Sequence, residues 1–220
     1  MSSVLFVGNS YTFYNDMPQQ VAALGPPLVV HTSVEGGANV ELHFKELGTP
    51  EKIRTLRPKN LVLQDNSTGP LHSRARFDEF LSRLAAVGAE VGAELFVYQT
   101  WARAETHEVY RSGWSGGSPK AMTERLRNAY HEVAAQIQAT VVPVGDAWET
   151  CLDEETLVLH DEDLHHASPL GSHLAALTFH GALSGADPRA ATYVPPGVAD
   201  AEATVLRRHA ARALGWSHER

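Results

Sequence analysis

The chain has only one cysteine, Cys151, so no internal disulfide is possible, and nothing in its cysteine usage points to an oxidising compartment. Cys151 follows the helical-looking run Asp146-Ala147-Trp148-Glu149-Thr150 with no glycine elbow before it, and reads as a small packed residue rather than a nucleophile. No apolar stretch approaches the ~20 residues that a membrane-spanning helix requires. The amino terminus also lacks the basic start and apolar core of a secretory leader, because Asn9 and Ser10 interrupt the first apolar run; a cytoplasmic location without a membrane partner is therefore expected. Basic residues are scarce. The 18 Lys and Arg against 26 Asp and Glu leave a formal charge of −8, which disfavours nucleic acid and anionic lipid and leaves a small neutral molecule as the expected partner. Internal repeats, low-complexity segments and linkers are missing too. A length of 220 residues, 43% of them hydrophobic and 20% charged, suits one α/β domain with a sizeable core and carries no indication of oligomeric state.

What is present is a series of short apolar runs, each broken by glycine or small polar residues. Val4-Leu5-Phe6-Val7 is unbroken, as expected of a strand buried on both faces of a parallel sheet. Gly8 then allows a sharp turn, and Asn9, Ser10 and Thr12 fall at the carboxyl end of that strand, where open α/β sheets bind their ligands. Taken alone, these residues make a strand-to-helix turn with a capping serine. Asn15 or Asp16 can cap a short helix ending before Gly25-Pro26-Pro27, and Leu28–Val34 reads as a second strand running into Glu35-Gly36-Gly37-Ala38-Asn39. Val40–Leu56 reads as helical with a break near Gly48-Thr49-Pro50.

A third run, Asn60–Leu63, leads into Gln64-Asp65-Asn66-Ser67-Thr68, read either as a solvated loop or as a binding site because buried unpaired amides are costly. Phe77–Val91 has helical spacing, and Glu94–Gln99 is a fourth strand. Residues 100–121 form a long irregular stretch with Trp101, Tyr110 and Trp114, a candidate substrate loop. A helix over Pro119–Gln138, a fifth strand over Thr140–Val144 and another helix from Asp146 follow. Strands separated by helices throughout predict a three-layer α/β/α sandwich around a central parallel five-stranded sheet.

The segment His160-Asp161-Glu162-Asp163-Leu164-His165-His166-Ala167-Ser168-Pro169 gives Ser10 a catalytic context. Ser168 and Pro169 can start a helix carrying Leu170, Leu174, Leu177 and Leu183. If Asp163–His166 forms a helix-like turn, the Asp163 carboxylate can accept a hydrogen bond from the His166 imidazole, an arrangement that orients a general base.

With these blocks in place, almost the whole chain resembles the SGNH/GDSL hydrolase superfamily. The family's first block is matched by Val4–Ser10, its second-block glycine by Gly37 or the adjacent Gly36, its third-block asparagine by Asn66, and its final Asp-x-x-His by Asp163 and His166. Gly8-Asn9-Ser10-Tyr11-Thr12, Leu63-Gln64, Thr100-Trp101-Ala102 and Gly171-Ser172-His173-Leu174-Ala175-Ala176 resemble a bacterial subgroup without an established function. The third block departs from the family in carrying Gln64 and Ser67 where glycine and aspartate are usual, so Gln64 competes with Asn66 as the side-chain oxyanion donor. Ala167 replaces the proline that commonly follows the histidine.

The resemblance implies a flavodoxin-like SGNH fold and a serine esterase with Ser10 as nucleophile, His166 as base and Asp163 as its orienting carboxylate. It implies an oxyanion hole from the Ser10 and Gly37 N–H groups and the Asn66 amide, with no cofactor and no metal. Asn9, Gln64, Trp101, Trp114 and His165 are candidates for substrate contact. The expected substrate is a small ester, with a short acyl group on a sugar or metabolite. The alternatives are a lipase or thioesterase of the same superfamily, a metal site built from His160, Asp161, Asp163, His165 and His166, and a non-catalytic carbohydrate-binding protein using Trp101, Tyr110 and Trp114.

Overall fold

The computed structural model describes residues 2–216. Five strands, β1 (Ser2–Gly8), β2 (Leu28–Val34), β3 (Asn60–Leu63), β4 (Glu94–Tyr98) and β5 (Thr140–Val142), form one parallel sheet in the order β2-β1-β3-β4-β5. Because β1 lies between β2 and β3, the chain reverses its winding direction at β1, and the loops after these three strands meet at one crevice at their carboxyl ends.

The unbroken apolar run in β1 follows from burial on both faces. Val4 and Phe6 enter one core with Phe96, Tyr98 and Val142, whereas Leu5 and Val7 enter the other with Leu61, Leu63 and Val97; all four β1 residues are fully buried. Each such side chain contributes roughly 1.5–3 kcal/mol of burial. Helices α2 (Met17–Ala23), α8 (Val144–Glu154), α9 (Pro169–Ser184) and α10 (Asp200–Ala213) cover the first face. Helices α3 (Val40–Lys45), α4 (Thr49–Leu56), α6 (Arg74–Glu90) and α7 (Pro119–Ile137) cover the second, and two single-turn helices, α1 (Ser10–Phe13) and α5 (Gly69–His72), complete the set. No helix among the described residues is long and apolar enough to cross a membrane.

The three-layer architecture is the expected one, with shifted boundaries. The helix expected from Phe77 starts at Arg74, and β5 stops at Val142 because Pro143 has no N–H to donate and Val144 already begins α8. The stretch 100–121 is not irregular throughout: it contains 3₁₀ turns at Glu108–Arg111 and Gly113–Ser115 and is anchored to α7 by Arg125, which donates to the carbonyls of Gly113 and Trp114 at 3.0 and 2.7 Å.

Candidate active site

The site is built on a buried polar layer rather than on exposed loops. Asn9 is 2% exposed; its Oδ1 accepts from Tyr11 N at 3.1 Å and caps α1, while its Nδ2 donates to Ala38 O at 2.8 Å and Asp65 O at 3.3 Å. One side chain therefore joins the loops after β1, β2 and β3. Gln64 is fully buried beneath it, accepting from Asn9 N at 3.1 Å and Thr12 Oγ1 at 2.9 Å and donating to Asn9 Oδ1 at 3.1 Å. Gly8 is required here by close approach, not by a sharp turn: a Cβ at this position would lie 2.3 Å from Gln64 Oε1 and 2.5 Å from Thr12 Oγ1.

Asp65, also fully buried, accepts from Val40 N at 2.9 Å and from both terminal nitrogens of Arg76 at 3.2 and 2.9 Å. Burial raises its pKa, and the Arg76 guanidinium and the Val40 N–H oppose that rise. His43 on α3 is buried as well, with Nε2 donating to Gly8 O at 2.8 Å and Nδ1 3.0 Å from Thr49 Oγ1; burial lowers its pKa, which keeps it neutral. The polar run after β3 is thus neither solvated nor wholly a ligand surface. Gln64 and Asp65 support the loops, and only the residues after them reach the crevice.

The histidine segment arrives from the other core. His160 and Ala167 form an antiparallel bridge, Asp161 N donates to His166 O at 2.9 Å, and Ser168 caps α9 through Gly171 N at 3.2 Å. The intervening turn is not helix-like, because Leu164 lies in the left-handed region at φ +66°. The carboxylate closes the turn instead: Asp163 Oδ1 accepts from the N–H groups of His165 and His166 at 3.0 and 2.9 Å, and Oδ2 is 2.5 Å from His166 Nδ1. Partial burial opposes ionisation of Asp163, but these three donors outweigh it and hold the carboxyl well below the usual carboxylate range.

His166 Nε2 lies 2.7 Å from Ser10 Oγ, completing a line from carboxylate to imidazole to hydroxyl. The ring is held face to face with Tyr14 at a centroid distance of 4.1 Å and an interplanar angle of 5°. Since Asp163 accepts at Nδ1, the neutral imidazole carries its proton there and presents the Nε2 lone pair to Ser10. Ser10 opens α1, so its N–H has no intrahelical acceptor.

Around Ser10 lies a cavity of about 290 Å³ lined by Asn9, Gly37, Asn66, Ser67, Thr68 and His165, among others. Gly37 is exposed at φ +72°, a conformation that favours glycine. The Asn66 Oδ1 is buried without a partner, and among the described residues its Nδ2 has no acceptor, leaving the amide donor to a ligand. His165 borders the cavity with Nε2 3.5 Å from Asp163 Oδ2; burial first, and then the nearby Arg103 and His166 charges, lower its pKa to about 4.

The other sequence candidates lie elsewhere. Trp101 is 1% exposed and stacked between Tyr11 and Trp148 at 4.4 and 4.1 Å, with its Nε1 donating to His165 O at 3.0 Å. It leaves no face for a sugar and braces the histidine turn. Trp114 packs edge-on to His72, 5.7 Å away, and does not line the Ser10 cavity. Gln64 has both ends of its amide occupied and does not face the cavity. Of the five residues weighed as metal ligands, only Asp163, His165 and His166 bring ligand atoms together, within 4.8 Å of one another. His160 instead lies with Nε2 2.9 Å from Ala102 O, and Asp161 caps Glu162 N at 2.9 Å. Sequence reasoning missed Tyr11, Tyr14 and Arg103. For Tyr11 a signal existed in the Gly-Asn-Ser-Tyr-Thr block; for Arg103 none did beyond its place after a strand.

No family model matches the chain, and no curated protein matches it. Solved structures do. A candidate SGNH hydrolase from Slackia heliotrinireducens shares 27% identity over 83% of this chain and 99% of its own, with a TM-score of 0.72. A protein of the DUF4886 family from Bacteroides uniformis ATCC 8492 superposes with a TM-score of 0.80 over 98% of this chain and 95% of its own, at 18% identity. An acetyl xylan esterase from Geobacillus stearothermophilus aligns at 13% identity over 81% of this chain and 92% of its own, with a TM-score of 0.60. The chain therefore has the SGNH/GDSL hydrolase fold.

Proposed function

We propose that this chain is a serine ester hydrolase of the SGNH type that removes a short acyl group, acetyl foremost, from a carbohydrate or small metabolite. The observation that carries this reading is the Asp163–His166–Ser10 line, with contacts of 2.5 and 2.7 Å. His166 Nε2 takes the Ser10 proton as Oγ attacks the ester carbonyl. The oxyanion is met by the N–H groups of Ser10 and Gly37 and by the Asn66 amide, whose donors are free to receive it. The imidazolium then protonates the departing alcohol. In the second half, His166 deprotonates a water that attacks the acyl-enzyme, and the acid leaves as Ser10 regains its proton. Asp163 keeps Nδ1 protonated throughout and stabilises the charged ring.

The cavity of about 290 Å³ suits a small acyl group. An apolar groove of about 670 Å³ beside the histidine turn, lined by Leu152, Leu157, Val158, Leu164 and Leu170 among others, is a candidate for a longer acyl chain. A lipase-like or thioesterase-like reading rests on that groove. A chain-length series of nitrophenyl esters separates the two: acetate is expected to be cleaved faster than octanoate, and equal or greater activity on octanoate defeats the short-acyl reading. Activity is expected to survive exhaustive chelation, because the charge is stabilised by amides; loss on chelation with recovery on adding zinc favours a metal at Asp163, His165 and His166 instead.

The two amides after β3 are expected to fail in different ways. Asn66→Ala should lower kcat by about 10²–10³, the range for removing one preorganised donor. Gln64→Ala should act on stability, lowering it by at least about 2 kcal/mol because the buried Asn9 and Thr12 groups lose their partner. Kinetics alongside denaturant melts check the pair, and a folded Gln64→Ala enzyme with the larger kcat loss reverses the assignment.

A further inference from the structure

Two arginines reach the loop after β3, and their surroundings differ. Arg76 is neutralised by the buried Asp65 carboxylate at 2.9 Å. Arg103, which lines the Ser10 cavity, meets neutral groups: its guanidinium lies 5.6 Å from the centre of the Tyr11 ring, Nη1 donates to Tyr11 OH and Nη2 to Ser67 Oγ at 2.8 Å. Among the described residues no carboxylate lies within 4.0 Å of it, and its Nε is buried without a partner. The backbone around it is fixed, since Arg103 O accepts from Tyr110 OH at 2.5 Å and Ala104 N donates to Leu164 O at 2.9 Å. A partly buried cation without a counter-charge is destabilising unless something supplies that charge. Asp163, which shares the neighbours Tyr11 and His165 with Arg103, has its oxygens engaged by the histidine turn. Glu105 and Glu108, on the same loop, are exposed and make no ion pair with Arg103; burial and Arg103 itself lower His165 and His107, and burial pushes Tyr11 up to about 12 despite the guanidinium.

Building on the serine-hydrolase reading of the same cavity, we propose that Arg103 is a specificity residue for anionic esters, pairing with a carboxylate or phosphate carried by the substrate close to its scissile bond. Two of its five N–H donors are spent on Tyr11 and Ser67, which orients the planar head while leaving its charge uncompensated. The anion belongs to the acyl or to the alcohol side of the ester, and matched substrates tell the two sides apart.

The test compares nitrophenyl hemiglutarate with nitrophenyl valerate for an anion on the acyl side, and 4-acetoxybenzoate with 4-acetoxybenzamide for an anion on the alcohol side, each corrected for spontaneous hydrolysis. In the wild-type enzyme the anionic member of one pair is expected to show a kcat/KM at least about tenfold higher, as a charged hydrogen bond provides. That ratio should fall to about one in Arg103→Gln and be only partly restored in Arg103→Lys, which keeps the charge and loses the fork. In the Ser10→Ala background, calorimetry should find tighter binding of the preferred anionic ester, and the difference should vanish with Arg103→Gln. A wild-type ratio of one in both pairs overturns the proposal whatever the variants do, and so does a preference retained by folded Arg103→Gln. Hydrolysis without preference refutes the anion site alone, whereas Arg103-dependent binding without hydrolysis refutes the esterase reading alone.

Discussion

Ser10→Ala is expected to abolish ester turnover, a loss on the order of 10⁶ in kcat, while leaving the melting temperature nearly unchanged. The two halves of this expectation have separate causes. Catalysis is lost because the covalent intermediate has no oxygen on which to form. Stability is kept because α1 is capped by Asn9, not by the serine, and among the described residues the side-chain partner of the Ser10 hydroxyl is His166 alone. Nitrophenyl acetate hydrolysis and a thermal melt on one preparation measure both. Unchanged kinetics in the folded variant would rule out the nucleophile.

His166→Ala is expected to cost about as much as Ser10→Ala, because nucleophile and base act as one unit and removing either disables both. Asp163→Asn should lose roughly 10⁴ in kcat, since an amide at that position no longer holds Nδ1 protonated with charge to match. His165→Ala is the internal control. Its ring is 3.5 Å from Asp163 Oδ2, makes no hydrogen bond to Ser10 Oγ, and leaves the 2.5 Å and 2.7 Å contacts of His166 in place, so the chemical step should persist. Single-turnover kinetics on the three variants decide the matter: an inactive His165→Ala beside a normal, folded His166→Ala would transfer the base to the wrong-seeming neighbour.

The sheet was readable because its signals are local. Val4–Val7 is an apolar run, Leu28–Val34 is rich in valine and Asn60–Leu63 is mostly apolar, each ended by glycine or polar residues, and the observed strands enclose or match them. Helix α10 was not, since its buried positions are Ala203, Leu206, His209, Ala210 and Ala211, a face with a single large apolar residue. In the site, Ser10, Asp163 and His166 could be named because their order along the chain follows a family pattern, and the fold brings them into contact. Trp101 was misread as a substrate residue because sequence does not reveal that Tyr11 and Trp148 cover both of its faces. Arg103 was missed for a related reason: its neighbours Tyr11 and Ser67 are 92 and 36 residues away, and only the fold shows that these residues, neither of them acidic, are the ones it meets.

The Asn9 side chain ties together three segments separated by 29 and 56 residues. Its consequence concerns how the site can be lost. Loops joined through one buried amide cannot open one at a time, because detaching any of them leaves unpaired polar groups in the interior. Ser10, the Gly37 amide and the Asn66 amide therefore belong to one cooperative unit with the central strands. During chemical denaturation, disappearance of activity should superimpose on the loss of secondary structure, with no inactive but folded species preceding it, and amide protons at the three strand ends should exchange only through global unfolding.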